Sequence, residues 1–496
     1  DGSKITVSAT PMGSIESVNA IIDGTIQPTI WSPASSVYLP VANAEWKRAH
    51  ADDLVVGVPN DLVLSPVVIA MWEPMARALG YPNEPIGWSD VAEMATSENG
   101  WADYGYPEWG NFQFGHTHPE YSNSGIVSII AEAYAGAGKQ RGLTVDDLND
   151  AEVQAFMADV EKSIIHYGTS TGFFGRRMFE RGPSYLSAAV MYENLVVAQE
   201  TKRLNGQSSQ LPVVAIYPKE GTFWSNHPFA VVNAPWVTDT QREAADLFEA
   251  FLLDRPQQLR AIELGFRPAD PSIPLTAPLD AQHGVDIEQP QTVLEVPSAE
   301  VVAETLATWK KTKKPVDLMI VMDVSGSMRN DNKMTAARAS LLQFLELLDD
   351  RDRVEVILFG TELTPLNELA QMSEVRDDLL IRVSGVVEGG DTRMYDAIDF
   401  AYDELDAYGD PDHIRSIVVL SDGVDTHSEM TLNELLNEIS LYSDEGGSSI
   451  KLFTVGFGDG ADKETLQAIA DPTGGRQYDA DPNNISEIYE EIATFY

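Results

Sequence analysis

The chain contains no cysteine in its 496 residues. Disulfides, thiolate nucleophiles, cysteine-ligated zinc and iron–sulfur clusters are therefore excluded, and stability rests on packing and polar networks. Basic residues are scarce, with 33 Lys and Arg against 77 Asp and Glu and a formal net charge of −44. This is no acidic tail on a neutral body, because residues from 315 onward carry 38 acidic and 12 basic side chains and the remainder is acidic as well. Such a surface repels nucleic acid and anionic lipid and favours cations or basic partners. Long apolar runs are also lacking; none approaches the roughly 18–20 residues of a membrane-spanning helix. The chain opens on Asp1 without a signal-peptide pattern, which reads as a processed or trimmed chain whose targeting segment is out of view. What is present is ample apolar content, 43%, over a length that suggests about three domains.

The strongest pattern lies at Asp323-Val324-Ser325-Gly326-Ser327-Met328. The apolar run Val316–Met322 before it reads as a buried parallel strand. Behind it, Met334, Ala337, Leu341, Phe344, Leu345 and Leu348 recur at helical spacing. The motif thus sits on the loop at the carboxyl end of a strand, where open α/β sheets bind ligands. Three oxygen side chains at alternate positions of a tight loop can face one point, as a hard cation such as Mg2+ requires. Two further pieces follow in order: Gly389-Gly390-Asp391-Thr392 before a helical run, and the apolar run Ile417–Leu420 leading into Ser421-Asp422-Gly423.

Together, Asp323, Ser325, Ser327, Thr392 and Asp422 resemble the metal-ion-dependent adhesion site of von Willebrand factor A domains, over about residues 315–496. The resemblance implies a doubly wound, mainly parallel α/β domain. It implies Mg2+ (or Mn2+ or Ca2+) ligated by the Ser325, Ser327 and Thr392 hydroxyls, with Asp323 and Asp422 supplying charge directly or through water. A carboxylate on a protein partner would complete the sphere.

Earlier in the chain, Trp31-Ser32-Pro33-Ala34-Ser35, Ser122-Asn123-Ser124-Gly125 and Met191-Tyr192-Glu193-Asn194 are joined by a closing helical tail that runs to Gly265-Phe266-Arg267-Pro268. These pieces resemble the two-lobed bacterial extracellular solute-binding proteins of ABC transporters. The resemblance implies a module over residues 1–300, with a second lobe at roughly 70–225. Solute contacts are then expected from Ser14, Ser32, Ser65, Ser124 and Tyr192, each at a loop or helix start where hydroxyls and free N–H groups are on offer. Residues 4–10 alternate like a strand, and the strand and helix that usually precede it in that family are missing. Residues 301–314, ending in Lys310-Lys311-Thr312-Lys313-Lys314, read as a helix and basic linker to the last domain at 315–496.

Three patterns carry less. Gly168-Thr169-Ser170-Thr171-Gly172 has the spacing of a hydrolase nucleophile elbow, but the segment before it, Val160–Tyr167, reads as helix rather than strand. His116 and His118 are spaced like a metal pair without a third ligand in the sequence, so ordinary loop histidines are expected. The aromatic residues of 101–115 are expected mainly in core. The function expected is that of a non-enzymatic, extracellular or cell-surface bacterial binding protein of adhesion type. It would engage an acidic partner through the metal and carry a solute module alongside. The alternative is the solute-binding component of an ABC transporter, docking on a permease, with the last domain as tether or scaffold.

Overall fold

In the computed structural model, which describes residues 4–168, 170–410, 412–444, 450–458, 460–473, 475–493 and 495, the apolar runs become central strands of separate sheets. The chain divides into two compact units, Asp1–Lys313 and Lys314–Tyr496.

In the first unit, Val63–Trp72 is buried along its last eight residues and organises a six-stranded sheet. Ala188–Tyr192 and Val213–Ile216 pair with it antiparallel, and Phe114–Gly115 joins Ala188–Tyr192 in parallel. Its first residues pair instead with Trp224–Ser225 and Arg267–Pro268. The sheet thus takes in Arg267–Pro268, well beyond the expected lobe boundary at 225, because the chain returns to the same strand. A smaller antiparallel sheet holds Ile30–Trp31, Pro228–Val231 and Asn60–Asp61. Two motifs quoted for the solute-binding resemblance meet here. Arg267 grips Glu193 with two hydrogen bonds of 2.8 and 2.6 Å, both groups being buried.

One sequence expectation fails at the start of the chain. Residues 4–13 form no strand, and Ile5 and Val7 are exposed; an alternating segment becomes a strand only where a partner strand takes its hydrogen bonds. The helix expected at 301–314 forms as Ala299–Thr312 and belongs to the first unit. Its apolar stripe packs on the helices Asn123–Gly136 and Ala151–Glu161, and Trp309 is fully buried. Ser298 caps it by accepting the Val301 N–H.

In the second unit the parallel strands Arg353–Phe359, Val316–Asp323, Ile414–Ser421, Lys451–Phe457 and Gln477–Ala480 lie side by side in that order. Leu363–Pro365 and Ala370–Gln371 extend the edge antiparallel to Arg353–Phe359. Every residue of Val316–Asp323 and Ile414–Ser421 is buried, because helices cover both faces of the sheet. Met319, Val321, Ile417 and Val419 face one core with Met394, Ile398 and Leu405 of the helix Met394–Tyr408. On the other side Lys333–Leu347 packs against Ile485–Ala493, where Phe344 stacks on Tyr489.

Candidate functional site

The Asp323 loop leaves the sheet at the carboxyl end of its central strand. Asp323 is fully buried and both its oxygens are engaged: Oδ1 accepts the Ser325 N–H at 2.7 Å, and Oδ2 accepts the Ser421 hydroxyl at 2.8 Å. The hydroxyls of Ser325 and Ser327 lie 2.9 Å apart, and Ser327 Oγ donates to Asp422 Oδ1 at 2.6 Å. Burial pushes the Asp323 carboxyl above its usual range against the hydrogen bonds from Ser325 and Ser421, and the neighbouring Asp422 adds to the rise.

Four of the five predicted groups are therefore joined through direct hydrogen bonds. Thr392 is placed differently. It is buried on the adjoining loop, its N–H donates to Thr426 Oγ1, and its carbonyl accepts the Thr426 and His427 N–H groups. That loop is laced to the first by Gly326 N–H to Gly390 O, 3.0 Å, and Gly389 N–H to Val324 O, 2.6 Å. Gly390 has φ +92°, and a Cβ there would meet Thr361 Oγ1 at 2.6 Å, so only glycine allows this approach.

Two contributors were missed by sequence reasoning. Ser421 shares the buried strand end with Asp422, and its hydroxyl is what fixes Asp323. Lys333, the first residue of the following helix, places its ammonium 2.8 Å from Asp422 Oδ2. A lysine at a helix start gave no signal by spacing alone. As a donor set, two carboxylates and clustered hydroxyls with no nitrogen or sulfur ligand suit a hard divalent cation.

In the first unit the predicted solute residues are divided. Ser32 is exposed. Ser14, the first residue of the helix Ser14–Ile22, accepts the Ala34 N–H at 3.0 Å, and Ser65 exchanges hydrogen bonds with Asn194, both 3.2 Å. Ser124 and Tyr192 do come together. Ser124 Oγ bonds Thr117 Oγ1 at 2.7 Å and Thr171 Oγ1 at 2.8 Å, while Asn123 Nδ2 donates to the Tyr192 hydroxyl at 3.0 Å. Burial raises the Tyr192 hydroxyl pKa against side-chain hydrogen bonds from Thr171, Asn123 and Ser225. The Tyr38 hydroxyl and Asn123 Oδ1 are buried in this neighbourhood without a hydrogen-bond partner among the described residues. Two helix starts, at Asn123 and Thr171, face this polar ring.

The Gly-x-Ser-x-Gly segment serves to begin the second of those helices. Ser170 is its N-cap residue, Gly168 bridges to Thr117 in extended conformation, and Thr169 lies outside the described residues. The preceding helix ends at Glu161, so 164–168 is not helical as expected; Ile164 bridges to Phe114 instead. Of the aromatic stretch, Trp101, Phe112 and Phe114 are core, whereas Tyr106 and Trp109 stack on each other nearer the surface.

Comparison with known proteins divides the chain in the same way. Residues 29–286 match the family described as bacterial extracellular solute-binding protein, and residues 317–491 match the von Willebrand factor type A domain. A curated human relative, inter-alpha-trypsin inhibitor heavy chain H4, is 26% identical over 194 residues, covering 37% of this chain and 20% of its own length. Among solved structures, a von Willebrand factor type A protein from Catenulispora acidiphila is 22% identical with TM-score 0.33, covering 36% of this chain and 42% of that one. Proximal thread matrix protein 1 of the mussel byssus, in a form with a zinc-occupied adhesion motif, is 17% identical with TM-score 0.31, covering 39% and 51%. The chain thus spans less than two thirds of the length of each of these relatives. The solute-binding match takes in more than half of the 496 residues, and the chain belongs to the bacterial extracellular solute-binding protein family, with a von Willebrand factor type A domain following in the same polypeptide.

Proposed function

We propose that this is a non-enzymatic extracellular binding protein whose last domain holds a divalent cation and, through it, an acidic group of a protein partner. The observation that carries the reading is the convergence of the Ser325 and Ser327 hydroxyls, 2.9 Å apart, with Asp422 Oδ1 2.6 Å from Ser327. Ser325, Ser327 and Thr392 would hold Mg2+ (or Mn2+ or Ca2+), with Asp323 and Asp422 balancing its charge. The ion would supply Lewis-acid attraction for a carboxylate that an acidic surface otherwise repels. Asp323, fixed by Ser325 N–H and Ser421, orients the loop. Calorimetric titration of the EDTA-treated chain with Mg2+ tests this, with about one equivalent expected and none in Asp323→Ala. Equal binding by the variant, or none by the parent chain, would sink the reading.

The polar ring around Tyr192 supports a second role. Its unpartnered Tyr38 hydroxyl and Asn123 Oδ1 suit a small polar solute, so the first unit serves as a solute receptor, with an ABC permease as the partner if delivery is its task. Mass spectrometry of solute released on denaturation of the freshly purified chain checks this. Release that is equal from the parent chain and from Tyr192→Phe with Asn123→Ala would count against the ring.

A further inference from the structure

Away from both sites, the first unit buries a histidine and two glutamates together. His116, Glu132 and Glu161 are each 0% exposed, and one ligand atom from each lies within 4.8 Å of the others. They come from the loop after Phe114–Gly115, the middle of the helix Asn123–Gly136 and the last residue of the helix Ala151–Glu161. Gly125 allows the first two to meet, since a Cβ there would lie 2.1 Å from the Thr117 carbonyl oxygen.

The hydrogen bonds leave this cluster short of positive charge. His116 Nδ1 is 2.8 Å from the Thr117 carbonyl, which can only accept, so Nδ1 carries hydrogen. Nε2 then faces Glu161 Oε1 at 3.1 Å. Glu161 already accepts two hydrogen bonds, from Trp309 Nε1–H to Oε1 at 3.1 Å and from the Tyr167 hydroxyl to Oε2. Glu132 differs: neither of its buried oxygens has a hydrogen-bond partner among the described residues. As a carboxylate it lacks donors, and as an acid it lacks an acceptor, so either state is costly without a further group.

We infer that His116, Glu132 and Glu161 form a buried structural site for one first-row divalent cation of the zinc class. A neutral imidazole and two carboxylates sum to −2, which such an ion cancels. Imidazole nitrogen with carboxylate oxygen is a donor set for this class of ion, and the Nδ1–H bond to a backbone carbonyl fixes the ring so that Nε2 presents its lone pair. With no exposure to solvent, the ion enters as the chain folds. It would tie together four segments, Trp309 bringing in the helix Ala299–Thr312. It would also stiffen the loop whose Thr117 hydroxyl holds Ser124 of the polar ring.

The rival is a shared proton, with imidazolium, carboxylate and a neutral Glu132 also summing to zero. The test uses the full chain carrying Asp323→Ala, so that the loop site adds nothing to the count. After expression with Zn2+, elemental analysis is expected to give about one zinc per chain, and Glu132→Gln in the same background at least roughly tenfold less. Chain produced with Co2+ should show the visible absorption of nitrogen- and oxygen-ligated cobalt, lost in Glu132→Gln. Should that variant fail to fold, the metal content and cobalt spectrum of the chain with an intact cluster decide alone. A metal-free chain after either loading, or zinc retained in folded Glu132→Gln, would overturn the site; the first outcome would establish the shared proton.

Discussion

The loop site of the second unit and the polar ring of the first are built in opposite ways. Asp323, Ser325, Ser327 and Lys333 come from one strand end, the turn behind it and the start of the next helix, while Ser421, Asp422 and Thr392 arrive from elsewhere. The ring draws Tyr38, Asn123, Thr171, Tyr192 and Ser225 from separate segments of the first unit. A site carried by one loop keeps most of its geometry when its surroundings shift. A site assembled across sheets depends on the ties between them, above all on Arg267 and Glu193. These tie the return strand at 267–268 to the helix Glu193–Leu204 that begins behind Tyr192.

The largest effect is expected from breaking that tie. Arg267→Ala leaves Glu193 charged and buried, and should cost about 3–5 kcal/mol of the first unit's stability. All nine tryptophans precede residue 314, so denaturant unfolding followed by their fluorescence reads this unit alone. Mg2+ binding by the loop should survive the change; its loss would show that the two regions are not independent, and a cost below about 1 kcal/mol would show that the pair is solvated.

Next comes Ser327→Ala, which removes the hydroxyl joining Ser325 to Asp422. Mg2+ affinity should fall about 10–100-fold, near 1.4–2.7 kcal/mol, with the tryptophan transition unmoved. Unchanged affinity in calorimetry would remove Ser327 from the ligand set.

A pH test sharpens the contrast within the second unit. Burial, aided by Glu404 and Glu368, pushes the Glu355 carboxyl up to about 7. A raised carboxyl pKa favours the neutral form in the folded state. Its cost is absent below the unfolded value of about 4.3 and grows as pH rises toward 7. Glu355→Gln should therefore add on the order of 1–3 kcal/mol at pH 8 and nothing near pH 4, read from thermal or denaturant melts by circular dichroism. A gain of equal size at both pH values would assign the effect to packing instead.

The smallest effect concerns Lys333. Its ammonium already places one positive charge on Asp422, so Lys333→Met should raise Mg2+ affinity by less than about tenfold. Weaker binding would mean that Lys333 positions Asp422 rather than competing for it.

Much of the second unit was legible because its signals are local. Apolar runs ending in Asp323 and Ser421 could only be strands buried on both faces, and the oxygen residues stood at their ends. Ser421 and Lys333 were not legible, since their roles depend on which side chains stand opposite. In the first unit the helix start at Asn123 follows from short-range chemistry, whereas the one at Thr171 was hidden behind a segment, 160–167, that read as helix. The alternation of residues 4–10 misled because no partner strand takes its hydrogen bonds.

The sequence by itself determined the two α/β modules, the boundary near residue 314 and the carboxylates and hydroxyls of the loop, because periodicity and turn chemistry act over a few residues. Tertiary structure alone decided that Ser32 is exposed, that Arg267 meets Glu193, and that His116 shares its burial with Glu132 and Glu161. Charge and hydrogen-bond complementarity between distant segments takes effect only once packing has excluded water from between them.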